Sequence, residues 1–410
     1  MGKKKDILFI ISTLRCGGAE HALVSLLNVF DYTKYNVDLL ILCENGMFYK
    51  EDVPGNVNMV EPDLSVRGVL EPTSQNMLKC LKAGRWNLLG MHTCRILKNY
   101  IKKPRYKNFW SYYWQEYSGY IKGLTKKYDV AIGYLEGLSN YFCIDKVKAD
   151  LKIGWVHTNY ADSSQNKEMD KKYFKEFDYL VTMSEPASET LATVFPEYAK
   201  KIYTIHNILD KKQVLRMAEE PIAEWDENFK GLTIASVGNI LPVKGYDMAV
   251  EACARLVEAG QNIKWYVVGR KDKSKEIEEL IERYHLQQRF ILIGPQKNPY
   301  PFMKKADIYV QCSRYEGLST TIREAKTLCK PIVATNCQGI NDQIEDRKNG
   351  SLVDVNVQSI FQGIMELIEH PETRKGYQEN LNQELIKDNE TKKELEKLDC
   401  LLNKGDSCDR

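Results

Sequence analysis

The sequence predicts an α/β protein with two doubly wound domains. A strand, a loop, a helix and a second strand follow one another in residues 7–43, and the same order recurs in residues 232–269. The two segments begin about 225 residues apart, and each has the pattern of a βαβ unit. A third such unit occupies residues 306–336. With 410 residues, the chain is long enough for two cores of ordinary size.

The elements of the first domain follow from β-branched and apolar runs separated by loops. A glycine-containing loop, residues 13–18, and a helix, residues 19–30, follow the first strand. The predicted strands are residues 7–12, 37–43, 128–134, 151–156 and 179–183.

The second domain repeats this alternation and ends in charged helices. Its predicted strands are residues 232–237, 263–269, 290–293, 307–312 and 331–335. Its predicted helices are residues 246–259, 274–284, 301–306, 358–369 and 372–402, besides the one that follows residue 319. The predicted division is residues 1–208 with an insert at 64–127, a linker at 209–230, a second domain at 231–385, and a terminal helix and tail at 386–410.

The unit at residues 306–336 carries two carboxylates at defined places. Glu316 follows a buried strand, at the carboxyl edge where open α/β sheets bind ligands. Glu324 lies one turn inside the following helix and can face the same crevice. We expect the free N–H groups of Gly317, Leu318 and Ser319 to form a helix N-terminus that suits a phosphate.

These residues carry a family resemblance. Glu316 and Glu324, with seven residues between them, stand in SRYEGLSTTIREA, which KPIVAT and Asn349-Gly350 follow. The pattern resembles the paired glutamates of the family-4 retaining glycosyltransferases. The resemblance implies two Rossmann-like domains facing across a cleft (the GT-B type) and a terminal helix that crosses back to the first domain. It also implies that Glu316 contacts the donor sugar and that Glu324 bonds the nucleotide ribose.

Two loops resemble the family's donor-binding loops. Gly17 and Gly18 follow the first strand; they allow positive φ and a close approach of ligand to backbone, beside the donor diphosphate or the acceptor. Lys244 matches a lysine that pairs with the diphosphate. Asn239 stands where the family has an arginine, so one cation is missing, and Arg15, Arg314 or Arg323 could compensate for it.

His157, in IGWVHTNY, follows a predicted strand of the first domain. It resembles the histidine that family members place over the transferring sugar. A structural role is the alternative, because a single histidine in a sequence is more often structural than catalytic. We expect His157 and Glu316 to be the catalytic residues.

Several classes of site are excluded or disfavoured. The sequence contains no Asp-x-Asp pair and no GxxxxGK[ST] loop, which disfavours a metal-dependent glycosyltransferase and a P-loop ATPase. Eleven scattered cysteines without a CxxC pair favour reduced thiols over disulfides or zinc. We expect no metal and no cofactor other than the nucleotide-sugar substrate. No apolar run approaches the length of a membrane helix.

The insert is basic and aromatic. Residues 79–127 contain twelve Lys or Arg and one acid, Glu116, while the net charge of the whole chain is +2. This composition suits an anionic membrane surface or a lipid-linked acceptor. An alternative to membrane binding is that the aromatic side chains pack into the first domain while the lysines stay exposed to solvent. Nucleic-acid binding is a weaker one, because no RNA or DNA motif accompanies the charges.

The predicted function is retaining, metal-independent hexosyl transfer. The donor is a nucleotide sugar, expected to be a UDP-sugar, and the acceptor is a lipid-linked or membrane-associated glycan of a bacterial surface polysaccharide. The expected location is cytoplasmic, at the inner face of the cell membrane. A nucleotide-sugar epimerase and a non-catalytic glycan-binding or partner subunit stay open as alternatives; the second is suggested by Asn239.

Overall fold

A computed structural model describes residues 3–15, 17–71, 73–88, 90–91, 109–158, 160–161, 163, 165–271 and 274–404. The chain forms two compact units. The first contains Met1–Ile208 and Thr391–Arg410, and the second contains Leu209–Glu390. The chain therefore leaves the first unit after Ile208 and returns to it at Thr391.

The first unit is built on a seven-stranded parallel sheet with the strand order β3-β2-β1-β4-β5-β6-β7. The order reverses between β1 and β4, which is the topological switch point of a doubly wound sheet. The strands are β1 (Lys5–Ile11), β2 (Tyr35–Ile41), β3 (Val57–Val60), β4 (Lys127–Gly133), β5 (Lys148–Val156), β6 (Tyr179–Thr182) and β7 (Ile202–Thr204).

Both faces of this sheet are covered, as a parallel sheet requires. Alternate residues of β1 enter two apolar clusters: Ile7, Phe9 and Ile11 belong to one, and Leu8 and Ile10 to the other. The helices that precede residue 209 are α1 (Gly18–Val29), α2 (Leu64–Leu70), α3 (Ser74–Lys82), α4 (Phe109–Tyr117), α5 (Leu138–Lys146), α6 (Lys167–Glu176) and α7 (Glu185–Val194).

The second unit has a six-stranded parallel sheet with the order β10-β9-β8-β11-β12-β13. Its switch point lies between β8 and β11. The strands are β8 (Leu232–Val237), β9 (Ile263–Val268), β10 (Phe290–Gly294), β11 (Ile308–Gln311), β12 (Ile332–Thr335) and β13 (Ser351–Val353).

Helices cover both faces of the second sheet as well. Ile308 and Val310 of β11 enter one apolar cluster, and Tyr309 enters the other. The helices are α8 (Lys211–Met217), α9 (Tyr246–Glu258), α10 (Lys275–Arg283), α11 (Tyr300–Lys305), α12 (Thr320–Thr327), α13 (Val357–Glu369) and α14 (Pro371–Lys387).

The last helix, α15 (Glu390–Leu402), packs on the first unit. Leu398, Leu401 and Leu402 are each 1% exposed and join the apolar cluster that contains β1. The carboxylate of Glu394 accepts the main-chain N–H of His206 at 2.8 Å. This buried leucine face and this hydrogen bond hold the end of the chain on the first unit.

The prediction of two doubly wound α/β domains is confirmed by the two parallel sheets. Three strands are missing from the sequence-based assignment: β3, β7 and β13. Each is an edge strand of only three or four residues, too short for a recognisable period. The predicted single helix at residues 372–402 is wrong, because the chain is extended at Asp388 (φ −67°, ψ 131°), between α14 and α15.

The cysteine prediction needs one correction. Cys400 is disulfide-bonded, so the expectation of reduced thiols throughout is wrong. The free thiols among the described residues are Cys43, Cys80, Cys143, Cys253, Cys312, Cys329 and Cys337. Cys16, Cys94 and Cys408 lie outside the described residues, as do insert residues 92–108. Among the helices of the described ranges, none is long and apolar enough to cross a bilayer.

Candidate functional site

The switch point of the second sheet brings two loops together. The loop of residues 238–245 follows β8, and the loop of residues 312–319 follows the neighbouring strand β11. Ligands of doubly wound sheets bind at this place, because the helices that follow the two strands lie on opposite faces and leave a crevice.

A glycine sets how closely the two loops approach. Gly245 has φ +66°, and a Cβ built on it would lie 2.0 Å from the carbonyl oxygen of Cys312. Only glycine permits both the left-handed conformation and this contact. The side chain of the preceding residue, Lys244, is thereby held beside the carboxyl end of β11.

Glu316 lies at the centre of a compact polar cluster. Its Oε1 accepts hydrogen bonds from Lys244 Nζ at 2.6 Å, Ser313 Oγ at 2.6 Å and Gln311 Nε2 at 3.0 Å. The Glu316 side chain is 11% exposed and that of Lys244 is 21% exposed. These three hydrogen bonds to one oxygen hold the carboxylate in place, and the charge of Lys244 balances that of the carboxylate.

Gln311 is a site residue that the sequence analysis missed. Its Oε1 accepts hydrogen bonds from Tyr309 Oη at 2.8 Å and Thr321 Oγ1 at 3.2 Å. These donors orient the amide so that its NH2 group faces Glu316. A buried polar side chain at the end of an otherwise apolar strand is the signal that could have identified it.

Glu324 is more deeply buried than Glu316. It is 4% exposed, and its Oε1 accepts a hydrogen bond from Tyr300 Oη at 3.2 Å. Burial raises the pKa of this carboxyl to about 8, which the tyrosine hydrogen bond only partly opposes. The two glutamates therefore differ: Glu316 is paired with a lysine, while burial favours the protonated form of Glu324.

The main-chain N–H groups of residues 317–319, before α12, were expected to be free for a phosphate. For one of them this prediction is wrong. Ser319 N–H donates to the carbonyl of Gly339 at 3.2 Å, so it is not available to a phosphate. Gly339, with φ +79°, approaches so closely that a Cβ there would lie 2.3 Å from the Glu316 carbonyl oxygen. The N–H groups of Gly317 and Leu318 have no hydrogen-bond acceptor within the described part of the chain.

Asn239, which stands where the family has an arginine, makes a hydrogen bond within its own unit. Asn239 Oδ1 accepts the main-chain N–H of Arg270 at 3.1 Å. Two of the arginines expected to compensate are engaged elsewhere: Arg314 binds both carboxylate oxygens of Asp247, and Arg323 binds Glu390. The third, Arg15, belongs to the first unit, where its Nε donates to the Asn45 carbonyl at 3.2 Å.

The glycine loop of the first unit lies at the end of β1. Gly17 caps α1 with φ −152°, which is extended backbone, and Gly18 is the first residue of the helix. Neither glycine therefore adopts the positive φ that its missing side chain would allow. A Cβ at Gly18 would meet no atom within 4 Å, so the space for a ligand beside this residue is open.

His157 directly follows β5. Its ring lies 5.0 Å from that of Tyr134 and 6.3 Å from that of Trp155, and burial lowers its pKa to about 3. The main-chain N–H of His157 donates to Glu136 Oε2 at 2.8 Å. Glu136 was not predicted as a site residue, although it follows a predicted strand and precedes a glycine.

The sequence of the second unit matches a known protein family. Residues 218–384 match the family described as "Glycosyl transferases group 1". The match covers less than half of the chain. Lys244, Gln311, Glu316 and Glu324 all lie within the matched residues. Within the described ranges of the whole chain, no group of three or more His, Cys, Asp or Glu is arranged to hold a metal ion.

Curated relatives are similar over part of their length. An uncharacterized glycosyltransferase of Methanocaldococcus jannaschii is 26% identical over 195 residues, which is 45% of this chain and 48% of that protein. An N-acetylgalactosaminyltransferase of Campylobacter jejuni, named for a diphospho-undecaprenol acceptor, is 28% identical over 221 residues, 53% of this chain and 58% of the relative. The chain thus spans about half the length of these relatives.

Solved structures share the fold over nearly the whole chain. HepE of Anabaena, in a crystal structure with UDP and glucose, has a TM-score of 0.65 and 15% identity, covering 98% of this chain and 100% of HepE. At this identity the likeness establishes the fold alone. The chain therefore has the GT-B fold, and the residues that match the family lie in its second unit.

Proposed function

We propose that the protein is a glycosyltransferase that moves a hexose from a nucleotide sugar, a UDP-sugar, to a glycan acceptor with retention of configuration and without a metal. One observation carries the proposal: the 2.6 Å contact of Lys244 Nζ with Glu316 Oε1 at the switch point of the second sheet. It places a cation for the diphosphate beside a carboxylate for sugar hydroxyls. Membership of residues 218–384 in a glycosyl transferase family supports the same activity.

The chemistry assigned to each group follows from its charge. Lys244 and the N–H groups of Gly317 and Leu318 stabilise the negative charge that develops on the leaving diphosphate. Glu316 orients the donor sugar and Glu324 bonds the ribose, as the family resemblance implies. The bond from the anomeric carbon to the phosphate oxygen breaks and a bond to the acceptor oxygen forms on the same face. The proton of the acceptor hydroxyl passes to the leaving phosphate oxygen.

The acceptor is proposed to be a lipid-linked glycan of a bacterial surface polysaccharide. A relative named for a diphospho-undecaprenol acceptor supports this assignment. Trp86 is 68% exposed, Leu78 51% and Trp110 44%, and Lys79 and Lys82 stand in the same part of the sequence. Exposed apolar side chains beside lysines suit the anionic inner surface of the cell membrane.

Not all of the insert's aromatics are available to a membrane. Tyr113, Trp114 and Tyr117 of α4 are buried in the core of the first unit, as the packing alternative expects. The membrane proposal therefore depends on the exposed side chains and on the lysines, and not on the aromatic content as a whole.

Thermal unfolding with UDP, GDP and ADP tests the donor site. A nucleotide at a hundred times its Kd adds about 2.7 kcal/mol to the free energy of unfolding. We expect UDP alone to raise Tm. Turnover of a UDP-sugar without an acceptor would identify an isomerase instead, and no shift with any nucleotide would favour a non-catalytic subunit.

A further inference from the structure

The first unit has its own polar contact at the carboxyl edge of its sheet. Glu136 stands three residues after the end of β4, which borders the switch point, and His157 stands directly after the neighbouring strand β5. Glu136 is 8% exposed, and its Oε2 accepts the His157 N–H at 2.8 Å. This hydrogen bond joins the residue that directly follows β5 to the segment that follows β4.

The same region fixes the tautomer of His157. Its ring makes a hydrogen bond to the main chain of Tyr134 that raises the ring's pKa, so the ring is the donor and a carbonyl the acceptor. His157 Nε2 is buried and has no hydrogen-bond partner within the described ranges. The donor must therefore be Nδ1–H, and Nε2 carries the lone pair.

The buried lone pair defines what can bind to it. Burial lowers the pKa of His157 to about 3, so the ring is a neutral acceptor at physiological pH. A buried acceptor without a partner is destabilising, and a ligand O–H group removes this penalty by donating to Nε2. The rings of Tyr134 and Trp155 lie against the imidazole and limit its movement.

We propose that Glu136 is a positioning residue of the first unit, which holds the His157 main chain so that Nε2 accepts a hydrogen bond from a sugar hydroxyl. The inference rests on the proposed function, and the hydroxyl belongs either to the donor sugar or to the acceptor. What Glu136 contributes is a correctly placed oxygen acceptor, not its charge.

Three variants and one matched control test this role. Glu136→Gln keeps an oxygen at the same reach and should leave kcat within about threefold of wild type. Glu136→Ala removes the oxygen, and Glu136→Asp withdraws it by one methylene. Both should lower kcat roughly 100-fold, as expected when a reacting group is misplaced by about 1 Å. A rise in KM for the donor or for the acceptor identifies the source of the hydroxyl.

Asp129 provides the control. Its Oδ2 accepts the main-chain N–H of Asp6 at 2.7 Å, so it also ties β4 to a neighbouring strand, but at the amino ends of the strands. Asp129→Ala should lower Tm without a comparable loss of kcat. The proposal is overturned if Glu136→Ala and Asp129→Ala have the same kcat at matched Tm, or if Glu136→Gln loses as much activity as Glu136→Asp.

A spectroscopic readout separates this inference from the proposed function. The ring 15N shifts of His157, assigned with His157→Gln, should show one Nδ1–H tautomer in the wild type and a mixture in Glu136→Ala. This result is required even if the wild type transfers no sugar, an outcome that would refute the proposed function alone. An unchanged tautomer in Glu136→Ala would refute the positioning role.

Discussion

Lys244 Nζ lies 2.6 Å from Glu316 Oε1, so the cation assigned to the diphosphate and the carboxylate assigned to the sugar already bind one another. The pair joins the loop after β8 to the loop after β11. A donor bound as proposed would find the lysine ammonium and the carboxylate already in place. Little side-chain entropy then remains to be lost when the donor binds.

Glu316→Gln should abolish transfer and leave the fold intact. The amide carries no charge and cannot balance Lys244 or accept from three donors as a carboxylate does. We expect kcat to fall by about 100- to 1000-fold with Tm within a few degrees. Glu366→Gln is the control, since Glu366 forms a 2.7 Å ion pair with Arg347 in the same unit. Full activity of Glu316→Gln would refute the site assignment.

Lys244→Ala should weaken nucleotide binding. Loss of one charge-assisted hydrogen bond costs about 1.5–3 kcal/mol, so the Kd for UDP should rise by roughly 10- to 150-fold in calorimetry. Lys264→Ala removes a lysine that also lies 2.6 Å from a carboxylate oxygen, that of Asp226, but belongs to β9. Equal loss of UDP affinity in both variants would contradict a diphosphate role for Lys244.

Glu324 should make the protein less stable as the pH rises from 6 to 8. Its folded pKa of about 8 lies above the ordinary value of 4.5, so in this range the folded state holds a proton that the unfolded state has lost. The free energy of unfolding should fall by about 1.4 kcal/mol per pH unit and level off above pH 8. Urea unfolding should show a flatter profile for Glu324→Gln, and an identical slope would contradict the assignment.

His157 should have the opposite effect in acid. Burial holds its folded pKa at about 3, below the ordinary value of 6.5, so below pH 6.5 the unfolded state binds the additional proton. Between pH 6.5 and pH 5 this coupling should cost about 2 kcal/mol of stability. His157→Asn should therefore lose less stability than the wild type between pH 6.5 and pH 5, which urea unfolding at the two pH values measures, and an equal loss would contradict the assignment.

Removal of four insert lysines should release the protein from anionic vesicles. We choose Lys98, Lys102, Lys103 and Lys107, and each should contribute about 1 kcal/mol near such a surface. The control changes four lysines of the carboxyl-terminal region: Lys375, Lys387, Lys392 and Lys393. Co-sedimentation with phosphatidylserine-containing vesicles measures the effect, and unchanged binding of the insert variant would favour aromatic packing over membrane contact.

The central strands were predictable from the sequence because they are apolar and buried on both faces. β1, for example, has Ile7 to Ile11 fully buried. The edge strands β3, β7 and β13 were not predictable. Three or four residues are too few to show an alternation of apolar and polar side chains, and the pairing of these strands depends on the neighbouring strand. The identities of Glu316, Glu324 and Lys244 could be read from the sequence, but not their partners.

The other site features that were not predicted depend on tertiary contacts. Gln311 stands five residues before Glu316, yet its role depends on Tyr309 and Thr321 turning its amide. Glu136 and His157 are separated by 21 residues and meet only because β4 and β5 are adjacent. The main-chain N–H of Ser319 donates to the carbonyl of Gly339. Gly339 belongs to a loop whose place beside Ser319 cannot be predicted from local sequence.

The return of the chain to the first unit at Thr391 bears on the order of folding during synthesis. Leu398, Leu401 and Leu402 complete the cluster around β1, but the ribosome makes them after the whole of Leu209–Glu390. The second unit, an uninterrupted stretch, can fold as it emerges. The first unit, although it is made first, keeps an apolar face open until the final helix arrives, and a nascent chain halted before Thr391 presents that face to chaperones.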